Sequence, residues 1–219
     1  MSRIIVVGGS GRTGTLIVTA LKKAGHDPVA TIRDPKAMAG LVKLGAETVL
    51  LDLKASTLED WARVLHGADA VIFAAGSSTG ESSAIDRIGV RRTVSAAEKA
   101  GVPRYVAIAS IGASTGMTLE GDWATPEMRD YYKQKRAGNA LIRASSLKWT
   151  ILEPGELTDG KPTGKVTLSE AEIRQKSIAR ADVAAVAVAA LAAPKSIGKA
   201  LQLTSGKLAI ADALKALGK

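Results

Sequence analysis

Four glycines, at positions 8, 9, 11 and 14, lie between the apolar run Ile4–Val7 and a segment whose apolar residues recur at helical spacing. A glycine loop between a strand and a helix turns tightly, lets the backbone approach a pyrophosphate and lets the helix pack closely on the strand. The helix N-terminus adds unpaired N–H groups and a partial positive charge, and both suit phosphate. The pattern predicts a dinucleotide site in one of two registers, G-x-G-x-x-G from Gly9 or G-x-x-G-x-x-G from Gly8. The alternative is a glycine-rich turn that binds nothing.

The end of the second expected strand indicates which dinucleotide would bind. In folds that prefer NAD, an acidic side chain there hydrogen-bonds the adenosine ribose. Here Arg33 occupies that region, and a guanidinium matches a 2′-phosphate in fork geometry. Arg12, inside the glycine loop, could close on the same phosphate, whereas Asp34 before Pro35 is better explained as a helix cap. We therefore expect NADP, with NAD as the alternative if Arg33 only faces solvent.

The hydrophobic pattern indicates the scaffold that positions these residues. Short β-branched runs alternate with longer segments of helical periodicity, which is typical of a parallel sheet buried on both faces. The expected strands are Arg3–Val7, Pro28–Arg33, Glu47–Leu53, Ala70–Ala75, Arg104–Ser110, Trp149–Glu153 and Leu201–Thr204. The expected helices are Gly14–Gly25, Pro35–Leu44, Leu58–His66, Ala84–Ala100, Pro126–Ala144, Asp182–Ala193 and a short one from Leu208. We predict an α/β fold, a doubly wound, mostly parallel Rossmann sheet, as a single domain over residues 1–219.

The composition narrows the function. The 219 residues are 46% hydrophobic and include no cysteine and two histidines. This excludes a disulfide scaffold and thiol catalysis, and we expect no metal site. The basic residues behind the net charge of +9 are scattered singly and in pairs, so we expect a solvated basic surface and no nucleic-acid partner. No apolar run reaches membrane length, so we expect a cytoplasmic, untargeted protein that acts on a small molecule, as a monomer or small homo-oligomer.

The order of several motifs resembles one known group. The chain resembles the atypical short-chain dehydrogenase/reductases, nearest to the NAD(P)-binding, NmrA-like and biliverdin/flavin-reductase-like set. The resemblance covers nearly the whole chain. Its motifs are Gly8–Gly14, Thr31–Pro35, Leu51–Leu53, Ala74–Gly76, Ile108–Ser110, Tyr131–Arg136, Leu147–Thr158 and Ser177–Ala184.

The resemblance implies a role for most of these motifs. It favours the register from Gly8, and it implies that Asp52 and Leu53 flank the adenine. Segment 74–76 would line the ribose and pyrophosphate, and Pro154 and Gly155 would lie against the nicotinamide. Leu157 and Thr158 would edge the substrate pocket. The expected cofactor contacts are Gly8, Ser10, Gly11, Arg12, Thr13, Gly14, Arg33, Asp52, Leu53, Ala74, Ala75, Gly76, Lys135, Pro154 and Gly155.

Tyr131 and Lys135 form Y-x-x-x-K, one helical turn apart and so on one helix face. In a reductase, Tyr131 would be the general acid, and Lys135 would lower its pKa and bind the nicotinamide ribose, because a phenol needs a nearby cation to work at neutral pH. Ser110 would orient the same oxygen. Tyr132 and Arg136 repeat the spacing, so Tyr131 could instead be a packing residue.

These expectations converge on an NADP(H)-dependent oxidoreductase that transfers a hydride to a small carbonyl, quinone or flavin-like substrate. Loops 77–83, 111–125 and 155–165 would form its pocket. Two alternatives remain open: a non-catalytic NAD(P)-binding redox sensor, and an NAD(P)-dependent epimerase or isomerase. A nucleic-acid-binding protein ranks last, because the sequence holds no recognised motif for that function.

Overall fold

The computed structural model describes residues 1–77, 83–174 and 177–218. The strands are β1 (Arg3–Val7), β2 (Asp27–Ile32), β3 (Glu47–Leu50), β4 (Ala70–Phe73), β5 (Arg104–Ile108), β6 (Lys148–Pro154), β7 (Glu156–Thr158), β8 (Lys165–Ser169), β9 (Ser177–Ala179), β10 (Lys199–Ser205) and β11 (Leu208–Ala209). The helices are α1 (Arg12–Lys23), α2 (Met38–Lys43), α3 (Leu58–Leu65), α4 (Val90–Lys99), α5 (Pro126–Arg143), α6 (Arg180–Leu191) and α7 (Ile210–Lys215). A 3₁₀ turn at Pro35–Ala37 precedes α2, another at Pro194–Ser196 follows α6, and a π-helical segment at Ser83–Gly89 leads into α4.

Within the described ranges, nine strands form one sheet in the order β11-β8-β10-β6-β5-β4-β1-β2-β3, while β7 and β9 pair separately. The seven strands from β10 to β3 in that order run parallel to one another. At one edge, β8 pairs antiparallel with β10, and β11 pairs antiparallel with β8. The doubly wound, mostly parallel α/β fold is therefore confirmed. Strand order reverses between β1 and β4, and such a reversal is where open α/β sheets bind ligands.

Helices cover both faces of the sheet. Alternate side chains of β1 illustrate this, since Ile4 and Val6 pack with α1 and α6, whereas Ile5 and Val7 pack with α3 and α4. The alanine-rich helix α6 belongs to the first of these layers and is buried at Val183 among others. Small alanine side chains let α6 lie close to the sheet, and its predicted place in the core is confirmed.

Four strands end earlier than the sequence predicted. β2 ends one residue short, at Ile32, and β3, β4 and β5 end two or three residues short. At β3 the cause is local, because the Asp52 carboxylate accepts a hydrogen bond from the Lys54 backbone N–H at 2.6 Å and turns the chain out of the sheet. The residues released by these early ends lie at the carboxyl edge of the sheet, where side chains can face a ligand.

The other differences involve pairing between distant segments. Segment 155–165, predicted as a loop, contains β7, and β8 follows it unpredicted; their partners β9 and β10 lie far along the chain, so local periodicity did not reveal them.

The expected helix over 84–100 begins as a π-helical turn, the one over 35–44 begins as a 3₁₀ turn, and α6 begins and ends two residues early. The predicted Asp34 cap is confirmed, since Asp34 accepts from the Lys36 N–H at 2.9 Å. Most of predicted loop 77–83 falls at 78–82, outside the described residues.

Candidate functional site

The glycine loop is held by contacts that leave no room for side chains. Gly8 has φ +79°, and a Cβ there would lie 2.8 Å from the Ala75 backbone nitrogen. A Cβ at Gly14 would lie 2.2 Å from the Gly8 carbonyl oxygen, so only glycine lets α1 approach the end of β1 this closely. Gly9 is equally confined, with its Cβ position 2.5 Å from Ala30 Cβ. Gly8, Gly9 and Gly14 are therefore structurally required, whereas a Cβ at Gly11 would only come within 3.3 Å of the Gly8 carbonyl oxygen.

The N-terminus of α1 opens onto this loop. Gly11 is the N-cap residue, and no side chain caps the helix there. The first-turn N–H groups of an α-helix have no partner within the helix, so they attract anions. Arg12, Thr13 and Gly14 form that first turn. The arrangement fits a pyrophosphate, because the glycines keep side chains out of the tight turn and no side chain caps the first-turn N–H groups.

A cleft of about 310 Å³ lies beside the loop. It follows the ends of β1, β2, β3 and β4, at the reversal of strand order. The lining residues that the sequence predicted are Gly8, Ser10, Gly11, Arg33, Asp52, Leu53, Ala74, Ala75 and Gly76. The lining residues that it missed are Thr31, Leu51, Lys54 and Ile85. Lys54 adds a second basic residue, besides Arg33, to the lining of the cleft.

Asp52, expected beside the adenine, forms a tight turn at the edge of the cleft. Its carboxylate forms the turn to Lys54, and its backbone N–H donates to Ser56 Oγ at 3.1 Å. It also lines the cleft next to Leu53. The turn therefore restricts the orientation of the Asp52 carboxylate at the edge of the cleft.

Arg12 differs from its expected position. Instead of extending to Arg33, its guanidinium forms an ion pair with Asp159, which follows β7. Asp159 also accepts from Arg180 Nη1 at 2.8 Å, at the start of α6. The pair connects the start of α1 to the segment that follows β7, and it holds the Arg12 guanidinium against Asp159.

Breaking this pair is expected to strengthen cofactor binding slightly. Asp159→Asn should lower the Kd for NADPH by roughly 2- to 5-fold, because an exposed ion pair of about 0.2–1 kcal/mol no longer competes for Arg12. Fluorescence titration at low and high salt measures the change, which salt should diminish. Asp212→Asn is the matched control at the start of α7, and a weaker NADPH complex in Asp159→Asn would show that the pair supports binding.

Lys135 has a partner that the sequence did not suggest. Its Nζ lies 2.9 Å from Asp86 Oδ1, with side-chain exposures of 7% and 0%, and Ser77 Oγ donates to Asp86 Oδ2 at 2.5 Å. Burial lowers the pKa of Lys135, but the charges of Tyr131 and Asp86 outweigh burial and raise it above the usual value. Since Ser77 follows Gly76 and Asp86 follows Ile85, this buried pair adjoins the cleft.

Helix packing brings Asp86 to this position. A Cβ at Gly138 would lie 2.1 Å from the Asp86 carbonyl oxygen, so glycine lets α5 contact the π-helical segment directly. A glycine inside a helix often marks a close approach, and Gly138 is the sequence signal that could have indicated this contact. The partner itself could not be read from local sequence, because 49 positions separate Asp86 from Lys135.

Two tyrosines at the start of α5 have different partners. Tyr131 lies against Lys135, with Nζ 5.6 Å from its ring centroid, as the Y-x-x-x-K spacing predicts. Burial raises the pKa of the Tyr132 phenol, and Ser110, expected beside Tyr131, acts instead on Tyr132 by lowering that pKa in part. The two rings meet edge to face at 5.4 Å. The structure therefore brings the three predicted catalytic residues to one region, but with Tyr132 between Ser110 and Tyr131.

Pro154 and Gly155 lie at the end of β6, outside the lining of the described cleft. The Pro154 carbonyl accepts from Ile111 N–H at 2.9 Å, and Gly155 N–H donates to the Leu203 carbonyl at 3.0 Å. These bonds tie the end of β6 to the segment after β5 and to β10. Leu157 and Thr158 belong to β7.

The glycine cradle and cleft agree with the chain's relatives. A family described as NAD(P)H-binding matches residues 8–194, and the chain belongs to this NAD(P)H-binding family. The uncharacterized sugar epimerase YhfK of Bacillus subtilis is 31% identical over 220 residues, which are 98% of this chain and 100% of the relative. The NAD(P)H azoreductase of Xenophilus azovorans is 26% identical over 211 residues, 92% and 67% of the two chains.

Solved structures confirm the fold. The oxidoreductase ylbE from Lactococcus lactis is 28% identical to this chain, with a TM-score of 0.88 over 98% of this chain and 96% of that one. The predicted NAD(P)-binding, reductase-like class is therefore confirmed. Across the three described ranges, no helix combines the length and apolar character needed to cross a bilayer.

Proposed function

We propose that this protein is an NADP(H)-dependent oxidoreductase that transfers a hydride to a small carbonyl, quinone or flavin-like acceptor. The observation that carries the proposal is one continuous edge of the sheet. It presents the glycine cradle and basic cleft at β1 to β3, and the groups around Lys135 and Ser110 beyond β4 and β5. The azoreductase among the relatives and the oxidoreductase among the solved structures agree with reduction as the reaction class.

Two basic residues support NADP over NAD. Arg33 and Lys54 line the same cleft as Asp52 and Leu53, the residues expected at the adenine. A 2′-phosphate attached to the adenosine ribose would therefore meet a guanidinium and an ammonium. Ion pairing with phosphate is favourable for both, and arginine adds planar, two-point geometry.

When bound, a reduced nicotinamide would supply the hydride. In this proposal the chain's own residues position the reaction: the Asp86–Lys135 pair would contact the nicotinamide ribose, and Ser110 would hold the acceptor oxygen. That oxygen also needs a proton. The side chains offer two routes for it, from Tyr131 beside Lys135 or from Tyr132 beside Ser110.

The test is NADPH oxidation, followed by absorbance, with 1,4-naphthoquinone, FMN and the azo dye methyl red as separate acceptors. We expect turnover with at least one of them, faster with NADPH than with NADH. Gly8→Val is the control, since its side chain collides with Ala75 and should remove both binding and turnover. Tight NADPH binding without oxidation of any acceptor would favour the redox-sensor alternative.

The Bacillus subtilis relative, described as a sugar epimerase, supports epimerisation as the second candidate function. An epimerase returns its hydride to the same substrate, so it consumes no NADPH. Interconversion of UDP-glucose and UDP-galactose, without net change in cofactor, would support that function over reduction.

A further inference from the structure

Trp123 is an exposed aromatic residue in a chain that has few aromatic residues. Only 3% of the residues are aromatic, and most of them lie in the core, as Trp61, Phe73 and Tyr105 do. Trp123 is 48% exposed, more than any other aromatic residue of the described ranges. Single exposed apolar side chains are ordinary in proteins, so the surroundings of this indole decide what it can do.

Helix α5 holds loop 111–125, the loop that carries the indole. Arg129 Nη1 donates to the Leu119 carbonyl at 2.7 Å, and Arg136 Nη2 donates to the Met117 carbonyl at 2.5 Å. The two arginines are two helical turns apart and therefore lie on one face of α5. Hydrogen bonds from charged donors are stronger than those between neutral groups. The loop is thus attached along α5 at two points through its own carbonyl groups.

Two further side chains of α5 extend this attachment. Asn139 Nδ2 donates to Ser114 Oγ at 3.0 Å and to Glu153 Oε1 on β6 at 2.8 Å. Nearer the start of α5, the Tyr132 ring meets the Trp123 ring with centroids 6.5 Å apart and planes at 76°. An edge-to-face pair occupies at most one face of the indole. The loop therefore holds Trp123 in place and leaves a ring face open.

Ring contacts connect Trp123 to the reaction site. Tyr132 also meets Tyr131 edge to face, with centroids 5.4 Å apart, and Lys135 Nζ lies 5.6 Å from the centroid of the Tyr131 ring. The loop that carries Trp123 begins directly after Ser110. The indole is therefore the exposed end of the aromatic cluster that contains the two candidate proton donors.

We propose that Trp123 is the specificity-determining residue for the acceptor, and that the acceptor is a planar, conjugated ring system that stacks on the open face of the indole. The inference rests on the proposed function and narrows its substrate class to quinone-like or flavin-like rings. An indole is electron-rich, whereas a ring that accepts a hydride is electron-poor, so offset stacking is favourable and also buries apolar surface. A small aliphatic carbonyl has no ring to stack and gains little from Trp123.

Binding of ring compounds to the NADP⁺ complex tests this without turnover, because the oxidised cofactor has no hydride to transfer. In calorimetric titrations with FMN and with 1,4-naphthoquinone, we expect Trp123→Ala to raise the Kd of each ring by about 10-fold, and Trp123→Phe to raise it by less than about 3-fold. The Kd for NADPH should not change in either variant. Leu208→Ala, at a position of β11 that is 51% exposed, is the matched control for loss of an exposed apolar side chain.

The possible outcomes separate this inference from the proposed function. An unchanged Kd for both rings in Trp123→Ala would overturn the inference, and a change in the oligomeric state of that variant would then assign the indole to a contact between copies of the chain. Failure of the unmodified complex to bind either ring, together with oxidation of NADPH by the aliphatic diketone 2,3-butanedione, would overturn the inference alone. Ring binding that weakens in Trp123→Ala, without NADPH oxidation by any acceptor, would support the ring-binding role of Trp123 and overturn the proposed function.

Discussion

Arg33→Asp is expected to raise the Kd for NADPH by about 100-fold while changing the Kd for NADH by no more than about 3-fold. The substitution removes the charge-assisted hydrogen bonds of the guanidinium to a 2′-phosphate and places a carboxylate against that phosphate. NADH has a hydroxyl group at this position, which the new carboxylate can accept from. Fluorescence titration of both cofactors at one fixed ionic strength measures the two constants.

The control for this variant is Arg63→Asp. Arg63 lies on the exposed surface of α3, 3.4 Å from Asp60. The substitution Arg63→Asp therefore changes the net charge by the same amount as Arg33→Asp, but at a distance from the cleft. It separates a local loss of phosphate contacts from a weaker overall field. Equal weakening of NADPH and NADH in Arg33→Asp would contradict the assignment of Arg33 to the 2′-phosphate.

Much of the cofactor end could be predicted from the sequence because its determinants are local. The glycine loop joins a strand and a helix that are adjacent in the chain, and the positions of Arg33 and Asp52 follow from being near strand ends. Parallel strands of a doubly wound sheet end at the same edge. These residues had to converge there once the alternation of strands and helices was recognised, even though several strand ends were placed one to three residues too late.

The acceptor end was less predictable because helix packing determines it. Lys135 and Tyr131 share a helix face, so their proximity follows from spacing. The partners Asp86 and Glu153 come from other elements, and Gly138 and the end of β6 bring them to α5. No local pattern distinguishes an acidic residue that will be buried from one that faces solvent. For the same reason, sequence spacing could not show that Ser110 acts on Tyr132.

These partners change what Y-x-x-x-K implies here. In the predicted arrangement, a lysine cation lowers the pKa of Tyr131 so that it can act near neutral pH. In the structure, the Lys135 ammonium is buried and forms a 2.9 Å ion pair with Asp86. An ammonium next to a carboxylate has a weaker field at a distance than an ammonium alone. We therefore propose that Lys135 orients a ribose and does not activate a phenol.

Tyr132→Phe is accordingly expected to lower kcat by about 100-fold, within the range that a positioned proton donor contributes. The ring would remain packed against Tyr131 and Trp123, whose centroids lie 5.4 and 6.5 Å away, so the fold and the Kd for NADPH should be kept. Only the Tyr132 hydroxyl, whose pKa Ser110 influences, would be lost. Steady-state rates with 1,4-naphthoquinone and a separate NADPH titration measure the two effects.

Tyr131→Phe is the matched comparison, since it removes a hydroxyl from the neighbouring ring. It should lower kcat less than Tyr132→Phe does, because the Tyr131 ring lies against Lys135, whereas Ser110 acts on Tyr132. The opposite order would place the proton donor at Tyr131. Lys135 would then have to stabilise the Tyr131 phenolate despite the Asp86 carboxylate at its Nζ. In that case Asp86→Asn, which removes the negative charge, should increase the stabilisation of the phenolate by Lys135.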